Sequence, residues 1–450
     1  MSERPSVVPR DAIPVAAAGR DYDGLLLHDS PLRALHERYA RDLAESRRPV
    51  GGADRPGAAV GQRIAGELEW LPYGVTEQGG AALCELVASY GDVEPEYAAI
   101  RRGAGIMDCP QRGTLIVTGK DRRDFLNRML TQELKDLGPG MGRESFWLNR
   151  KGRIEADVHV MELGERTLMD VDFCQAASAA TTLGEFVFTE DVAIADASRE
   201  FLRVVVHGPW AERVVAAAAG RDGFALQPGA VMEIVINTSN VVAVRRDSCG
   251  VPGVELIVPR DMAVQVWEAL LATDATIGEG KRRVRPIGWH AFNIARIEAG
   301  TPLMNIDFSS SNLPHETGVL RKRVSFTKGC YLGQEVVARM ESLGQPKQVL
   351  VGSRMDDDRL PVAGSQVFAR REDGSMDQQI GAVTSSTLSP MLGAMPIAFA
   401  MIRTAHSQGG TKLLVNAEAA QVSATVGPLN MLQSDAMRQS TAEAGTGPDV

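Results

Sequence analysis

The hydrophobic pattern of the sequence changes near residue 346, and this change limits the possible folds more than any other feature. Before it, β-like runs alternate with amphipathic helical segments. After it come six short β-like runs separated by turn residues, namely QVLVGSRM, SQVFARR, IGAVTSSTL, IAFAMIRT, TKLLVN and QVSATVG. Short strands at such regular spacing are typical of small barrels. The sequence therefore predicts an α+β region followed by a C-terminal β-barrel.

Local signals place several elements within the α+β region. GTLIVTG predicts a strand, and DRRDFLNRML after it predicts a helix with Phe125, Leu126, Met129 and Leu130 on one face. FWLNRKGRIEADVHVMEL predicts a hairpin that turns at Lys151-Gly152. A second round of strands and helices follows, including the strands FLRVVVHG and GVELIVP.

Composition excludes several classes of protein. The 450 residues carry 57 acidic and 48 basic side chains, a net charge of -9, which argues against a nucleic-acid-binding surface. The five cysteines are scattered and never form a C-x-x-C pair, so neither a disulfide framework nor a metal site is expected. Since we find neither an apolar run of about 18 residues nor the apolar core of a secretory signal, we expect a cytoplasmic protein with no membrane partner.

The segment FTKGCYLGQEVVARM, residues 326–340, is the most distinctive stretch of the sequence. Gly329 and Gly333 flank Cys330, and QEVVARM predicts a helix that starts near Gln334. The partial positive charge of a helix N-terminus, together with Lys328, would favour a thiolate at Cys330. Alternatively the segment is a tight turn in which a small Cys side chain simply packs, and the residues alone leave both interpretations open.

The motif KGCYLGQEVVAR resembles the signature of the YgfZ-type folate-binding proteins, a branch of the glycine-cleavage T-protein (aminomethyltransferase) superfamily that is associated with maintaining iron-sulfur proteins. Further resemblances occur in order along the chain, from about residue 30 to about residue 430. They include EYAAIRRGAGIMDCPQRGTLIVTG, HGPWAERV, NIARIEAGTPLMNIDFSSSNLPHETG, GAVTSSTLSP and IAFAMIR.

This resemblance implies a three-part, cloverleaf-like fold, with two α/β folate-binding subdomains around a central channel for tetrahydrofolate and a C-terminal β-barrel. The expected division of the chain is a loose tail at 1–29, the folate-binding region at 30–280 with an insertion near 47–63, a return segment at 281–345 that carries KGCYLGQE, the barrel at 346–430 and a loose tail at 431–450.

The resemblance also implies which residues bind the folate. Glu255 occupies the position of the pterin-binding glutamate, where a carboxylate can accept two hydrogen bonds from the pterin edge; alternatively it is a solvent-facing strand residue. Asp157 falls where T-proteins place an aspartate beside the reactive nitrogens of the folate; alternatively it ends a hairpin or pairs with Arg153. Counter-charges for the glutamate tail of the folate are expected from Arg296, Arg321, Lys322 and Arg323; alternatively this charge run is a solvated face of the protein.

Departures from the aminomethyltransferase pattern favour the YgfZ branch. Ala156 stands where the transferases have the first of two paired acids, and Phe292 and Asn293 replace an Arg-Asp pair. The function expected from the sequence is therefore a tetrahydrofolate-binding protein that assists assembly or repair of iron-sulfur proteins, with iron-sulfur apo-proteins or assembly factors as partners. Cys330, Asp157 and Lys328 are the candidate catalytic residues, and Glu255, Asp157 and Arg296 the candidate folate-binding residues. The alternative is a folate-dependent aminomethyltransferase or related one-carbon transferase.

Overall fold

A computed structural model describes residues 25–26, 28–46, 67–74 and 81–433. Most of the two predicted tails and the whole predicted insertion at 47–63 lie outside the described residues. The N-terminal part contributes two small two-stranded sheets, β1 with β3 and β2 with β4. The elements up to the first large sheet are β1 (Leu25–Leu26), α1 (Arg33–Ser46), β2 (Glu69–Tyr73), β3 (Ala81–Ala82), β4 (Cys84–Ser89), α2 (Val93–Arg102) and β5 (Ala104–Asp108).

A five-stranded sheet with the order β10-β6-β9-β8-β7 forms the first half of the α+β region. Helices α3 and α4 cover one face, and their apolar side chains pack with those of the sheet into a shared core that includes Leu115, Phe125, Leu126 and Val158. The elements are β6 (Arg112–Thr118), α3 (Arg122–Met129), β7 (Met141–Leu148), β8 (Ile154–Glu162), β9 (Thr167–Asp172), α4 (Phe173–Gly184) and β10 (Ala193–Asp196).

The predicted hairpin is formed by β7 and β8. Gly152 lies in its turn at a φ of +71°, a left-handed conformation that only glycine adopts without strain.

A six-stranded sheet with the order β12-β13-β14-β11-β5-β15 forms the second half. Helices α5 and α6 pack on it around Val204, Leu256 and Trp267. Its elements after β5 are β11 (Phe201–His207), α5 (Ala211–Ala218), β12 (Val231–Ile236), β13 (Ser239–Arg245), β14 (Gly253–Pro259), α6 (Ala263–Ala272) and β15 (Val284–Pro286). The two large sheets also pack against each other, through a cluster that joins Met161 to Ile257.

Three helices lead from the second sheet to the C-terminal barrel: α7 (Trp289–Glu298), α8 (Leu320–Arg323) and α9 (Gln334–Leu343). The barrel closes in the order β16-β19-β18-β17-β20-β21, and apolar side chains such as Val367, Ala398 and Val415 fill it. Its strands are β16 (Gln348–Met355), β17 (Gln366–Arg370), β18 (Met376–Ser389), β19 (Met395–Arg403), β20 (Lys412–Ala417) and β21 (Ala420–Gly427). Short 3₁₀ helices occupy Arg260–Met262, Thr273–Ala275, Pro314–Glu316, Pro390–Leu392 and Thr404–His406.

The predicted fold class is confirmed, because the structure combines two α/β units with a closed six-stranded barrel. The residue boundaries of the expected domains stay predictions. Within the described ranges, we find no helix that is both long and apolar enough to cross a membrane.

Candidate functional site

A cleft between the two large sheets and α7 brings together charged residues from distant parts of the sequence. The space between its walls is about 770 Å³, counted out to its open mouth. Its charged and aromatic walls are formed by Tyr73, Arg112, Asp157, Asp172, Arg203, His207, Arg246, Glu255, Trp289 and Phe292.

Glu255 is buried at the wall of this cleft. It lies on β14 between Val205 of β11 and Val244 of β13, and only 7% of its surface is exposed. The solvent-facing alternative is therefore wrong, because the side chain is buried within the cleft wall. The carboxylate makes long contacts with two guanidinium groups, 3.4 Å to Arg246 Nη1 and 3.9 Å to Arg203 Nη1. Because these contacts are long, the carboxylate retains capacity to accept shorter hydrogen bonds from a ligand.

Asp157 lines the same cleft from β8. Its Oδ1 accepts a hydrogen bond of 2.8 Å from Nε of Arg323, and its Oδ2 lies 3.4 Å from Nη2 of the same guanidinium. The expected alternative partner, Arg153, instead donates to the carbonyl of Ser311. Arg323 thus fixes the orientation of the Asp157 carboxylate toward the cleft.

Asp170 does not line the cleft but is buried behind its arginine wall, and the sequence analysis missed it. It is fully buried on β9, where it pairs with Arg112 (2.5 Å), Arg203 (2.9 Å) and Arg246 (3.3 Å). Burial alone would raise the pKa of Asp170. The neighbouring guanidinium groups, of which Arg112 has the largest effect, instead hold the pKa well below its usual range. A signal was present in the sequence, because TLMDVD places two aspartates in an otherwise apolar strand.

Glu144 on β7 links the two halves of this charge network. It accepts a hydrogen bond of 3.0 Å from Nε of Arg246 and another from Nη1 of Arg323. Burial would raise the pKa of Glu144, but Arg323 and Arg246 lower it to about 2. Arg246 has a raised pKa because Glu255, Glu144 and Asp170 together outweigh the effect of its burial. Glu144, Asp170 and Arg246 therefore stabilise each other in their charged forms.

Several buried polar atoms around the cleft have no hydrogen-bond partner within the described part of the chain. They include Nε and Nη1 of Arg203, Oε1 of Gln111 and Nδ1 of His207. Burial lowers the pKa of His207 to about 4, so its imidazole is neutral at pH 7. Buried polar groups are rarely left unpaired in folded proteins. This set therefore fits a cleft that is completed by a polar ligand.

Arg296 does not line this cleft, although the resemblance implied a folate-binding role for it. The residue is fully buried on α7, where its guanidinium group donates to Asp307, to Ser385 Oγ at 2.6 Å and to Asn293 Oδ1 at 2.9 Å. Ser385 belongs to β18, so Arg296 connects α7 to the barrel. Its contribution to folate binding stays a prediction.

The KGCYLGQE segment lies against the hairpin that carries Asp157. Helix α9 begins at Gln334 as predicted, after Gly333 at a φ of +80°. A Cβ atom on Gly333 would lie 2.7 Å from the carbonyl oxygen of Asn149, and one on Gly152 would lie 2.8 Å from Val336. The two glycines therefore allow the loop before α9 and the hairpin turn to approach closely.

Within this segment, Lys328 and Cys330 have opposite environments. Lys328 is buried, and its ammonium group donates to the carbonyls of Asn127 (2.7 Å), Leu130 (2.8 Å) and Gln132 (2.6 Å) at the end of α3. Burial lowers the pKa of Lys328 to about 8. Cys330 is exposed. The structure thus gives Lys328 a stabilising role at α3, while its predicted effect on the Cys330 thiol stays a prediction.

Across residues 28–46, 67–74 and 81–433, no group of three or more His, Cys, Asp or Glu side chains is arranged to hold a metal ion.

Comparisons with known proteins agree with this architecture. Residues 81–328 match the model of the GCVT N-terminal domain, and residues 348–432 match that of the glycine cleavage T-protein C-terminal barrel domain. The chain is 28% identical over 351 residues to an aminomethyltransferase of Geobacillus kaustophilus, covering 77% of this chain and 92% of that protein. It is 30% identical over 326 residues to an aminomethyltransferase of Streptomyces avermitilis, covering 72% and 84%.

The fold is also similar to that of a solved structure. The crystal structure of the glycine cleavage system aminomethyltransferase T from Bartonella henselae superposes with a TM-score of 0.71 at 22% identity, covering 90% of this chain and 98% of that one. At this level of identity the likeness concerns the fold.

Proposed function

The chain belongs to the glycine cleavage T-protein family, and we propose that it binds a reduced folate in the cleft and acts as a folate-dependent one-carbon transferase of the aminomethyltransferase type. The observation that carries the proposal is that Glu255 and Asp157 line one cleft. The relatives named aminomethyltransferase support it as well.

The residues of the cleft fit a pterin ring. The carboxylate of Glu255 can accept hydrogen bonds from two neighbouring N–H groups on the pterin edge, since its contacts with arginine are 3.4 Å or longer. Trp289 and Phe292 offer flat apolar walls for the ring. The unpaired donors of Arg203 and the unpaired oxygen of Gln111 supply further polar contacts.

Asp157 is the residue proposed to act beside the reactive part of the folate. A bound tetrahydrofolate supplies the nitrogen atoms that carry the one-carbon unit. Arg323 holds Oδ1 of Asp157 at 2.8 Å, so the carboxylate is fixed in orientation and its other oxygen, Oδ2, is held more loosely. Asp157 Oδ2 is therefore the atom that we expect to orient a substrate nitrogen or accept its proton.

The test is transfer from an aminomethylated lipoyl carrier to tetrahydrofolate, followed as release of methylenetetrahydrofolate. We expect measurable turnover by the wild-type protein and a loss of about a hundredfold in Asp157→Asn, since a positioned acid or base contributes about 10²- to 10⁴-fold. Asp136→Asn is the matched control, because Asp136 is an exposed acid that pairs with Arg143 at 2.6 Å and does not line the cleft. Folate binding without any transfer by the wild-type protein would contradict the transferase proposal.

A second candidate function follows from Cys330, which is the exposed thiol among the five cysteines, while three are buried and Cys174 is intermediate. In this proposal the protein binds tetrahydrofolate and assists assembly or repair of iron-sulfur proteins, as the KGCYLGQE motif implies. Ala156 and Phe292, which stand where the transferases place charged groups, also favour it. Rescue of an iron-sulfur-enzyme defect by the wild-type protein but not by Cys330→Ser would support this candidate over the first.

A further inference from the structure

His207 lies at the end of β11 and lines the same cleft as Glu255. In the sheet, Val205 of β11 pairs with Glu255 of β14. His207 is two residues further along β11, so its side chain is on the same face of the sheet and is the diagonal neighbour of Glu255. Diagonal neighbours on paired strands stand about 7 to 8 Å apart. A flat ring that is bound to Glu255 therefore has the imidazole close to an adjoining part of its edge.

Neither ring nitrogen of His207 makes a hydrogen bond within the described residues. Nδ1 is enclosed, and a Cβ atom on Gly253 would lie 3.5 Å from it, so this nitrogen faces the backbone of β14. Nε2, at the far end of the ring, is not fully enclosed, so it is the nitrogen that a ligand in the cleft can reach. Only 1% of the residue is exposed, and buried polar groups are rarely left unpaired.

The packing around the imidazole fixes its orientation. Phe292 of α7 stacks on it, with ring centroids 5.4 Å apart and an angle of 28° between the planes. Trp289 packs in turn against Phe292, at 5.5 Å between centroids. The direct cross-strand partners of the histidine are Gly105 on β5 and Gly253 on β14, so these paired positions place no side chain on the ring. The ring is therefore held by aromatic contacts while its distal nitrogen is left to the cleft.

The chemistry of the ring determines what it can bind. Burial lowers the pKa of His207 to about 4, so the neutral form is present at pH 7. A neutral imidazole carries its proton on one nitrogen and accepts at the other. An enclosed N–H without a partner is rarer in proteins than an enclosed acceptor without one. We therefore expect the proton on Nε2, which makes His207 a hydrogen-bond donor toward the cleft.

We propose that His207 is a specificity-determining residue, which donates a hydrogen bond from Nε2 to the ring carbonyl of the pterin. The inference rests on the proposed folate binding at Glu255. Next to the amino and amide N–H groups that Glu255 accepts, a pterin presents the carbonyl oxygen of the same amide. Glu255 and His207 together recognise the donor–donor–acceptor pattern of that edge, which a ring with an amino group in place of the carbonyl lacks.

The experiment is calorimetric titration of the full-length protein with tetrahydrofolate and with tetrahydropterin, which has the ring but no benzoyl-glutamate tail. A glutamine side chain places its amide nitrogen near the position of Nε2, whereas an asparagine places it near Nδ1. We expect His207→Asn to lose at least about fivefold in affinity for both ligands, because the ring carbonyl is left without its donor. His207→Gln should stay within about twofold of the wild-type affinity, because the donor is kept.

Two further variants complete the design. His207→Leu has no polar side-chain atom and should show the same loss as His207→Asn, so it decides the question if the asparagine variant does not fold. Thermal denaturation shows which variants are folded. His290→Asn is the matched control, because His290 is on the same helix as Phe292 and does not line the cleft, and it should change neither affinity.

The outcomes separate this inference from the proposed function. Equal affinities in His207→Gln and His207→Asn would show that the donor at Nε2 is not used and would overturn the inference. A loss confined to tetrahydrofolate would place His207 at the folate tail and would overturn it as well. In both cases the proposed folate site would stand, whereas a wild-type protein that bound neither ligand would remove the proposed folate site together with the inference.

Discussion

Arg246 in the cleft and Lys328 in the KGCYLGQE segment are both enclosed cations, but their partners differ. Arg246 contacts the carboxylates of Glu144, Asp170 and Glu255, and its pKa is raised. Lys328 donates its three hydrogen bonds within the described residues to backbone carbonyls, and its pKa is lowered to about 8. The difference shows that neutral dipoles can satisfy the donors of a buried cation without offsetting the loss of hydration of its charge.

The two regions therefore serve different purposes. In the cleft, carboxylate and guanidinium groups hold each other in place, and those that line its walls can still contact a bound ligand. In the KGCYLGQE segment, Lys328 connects a loop to the end of α3 through its hydrogen bonds. The thiol of Cys330, two residues later, is exposed to solvent. Four substitutions test this contrast, from the largest expected effect to the smallest.

Asp170→Asn should have the largest effect on stability. The change leaves Arg112, Arg203 and Arg246 without their shared buried carboxylate, and breaking a buried ion pair costs about 3 to 5 kcal/mol. The free energy of unfolding is measured by urea denaturation. Asp136→Asn removes an exposed partner of Arg143 and should cost less than about 1 kcal/mol. Equal losses in the two variants would contradict a central role for Asp170.

Lys328→Met should destabilise the protein by about 2 kcal/mol or more, because three carbonyls lose their donor and buried unpaired groups cost about 1 to 3 kcal/mol. The pH dependence is a sharper test. The pKa of Lys328 is about 8 in the folded protein against an ordinary value of 10.5. Between these values the unfolded chain binds more protons, so the free energy of unfolding of the wild-type protein should rise with pH.

The Lys328→Met variant provides the control for that titration, since it lacks the titrating group. Its free energy of unfolding should therefore miss the rise between about pH 8 and pH 10.5 that the wild-type protein gains from Lys328. Parallel pH profiles for the two proteins would show that the lysine keeps its ordinary pKa in the folded state.

Glu255→Gln should weaken tetrahydrofolate binding by about tenfold or more, because the amide exchanges one acceptor for a donor and a charge-assisted hydrogen bond contributes about 1.5 to 3 kcal/mol. Isothermal titration calorimetry measures the affinity. Glu233→Gln is the control, since Glu233 is an exposed strand residue that pairs with Arg166 outside the cleft. An unchanged affinity in Glu255→Gln would remove Glu255 from the binding site.

Cys330→Ser should have the smallest effect on the folded protein. Because the thiol is exposed, we expect the free energy of unfolding to change by less than about 0.5 kcal/mol and the folate affinity to stay the same. Thermal denaturation and calorimetry measure the two quantities. A clear loss of stability would show that the thiol packs in the turn, as the alternative interpretation of the segment holds.

Local patterns in the sequence were sufficient to predict much of the fold. The start of α9 at Gln334, the hairpin turn at Gly152 and the strands of the C-terminal barrel were all predicted from them. The reason is physical, because the periodicity of apolar side chains and the conformational freedom of glycine act over a few residues.

The partners of the charged residues were decided only by the tertiary structure. Asp157 pairs with Arg323 and not with Arg153, and Lys328 binds carbonyls at the end of α3. The role of Asp170 depends on three arginines from three other segments. Such contacts join residues far apart in the chain, and composition, periodicity and spacing carry no information on which distant charges meet. By itself, the sequence determined the elements and, through its resemblance to a known family, the cleft residues Glu255 and Asp157, whereas chain folding determined the electrostatic environment of each.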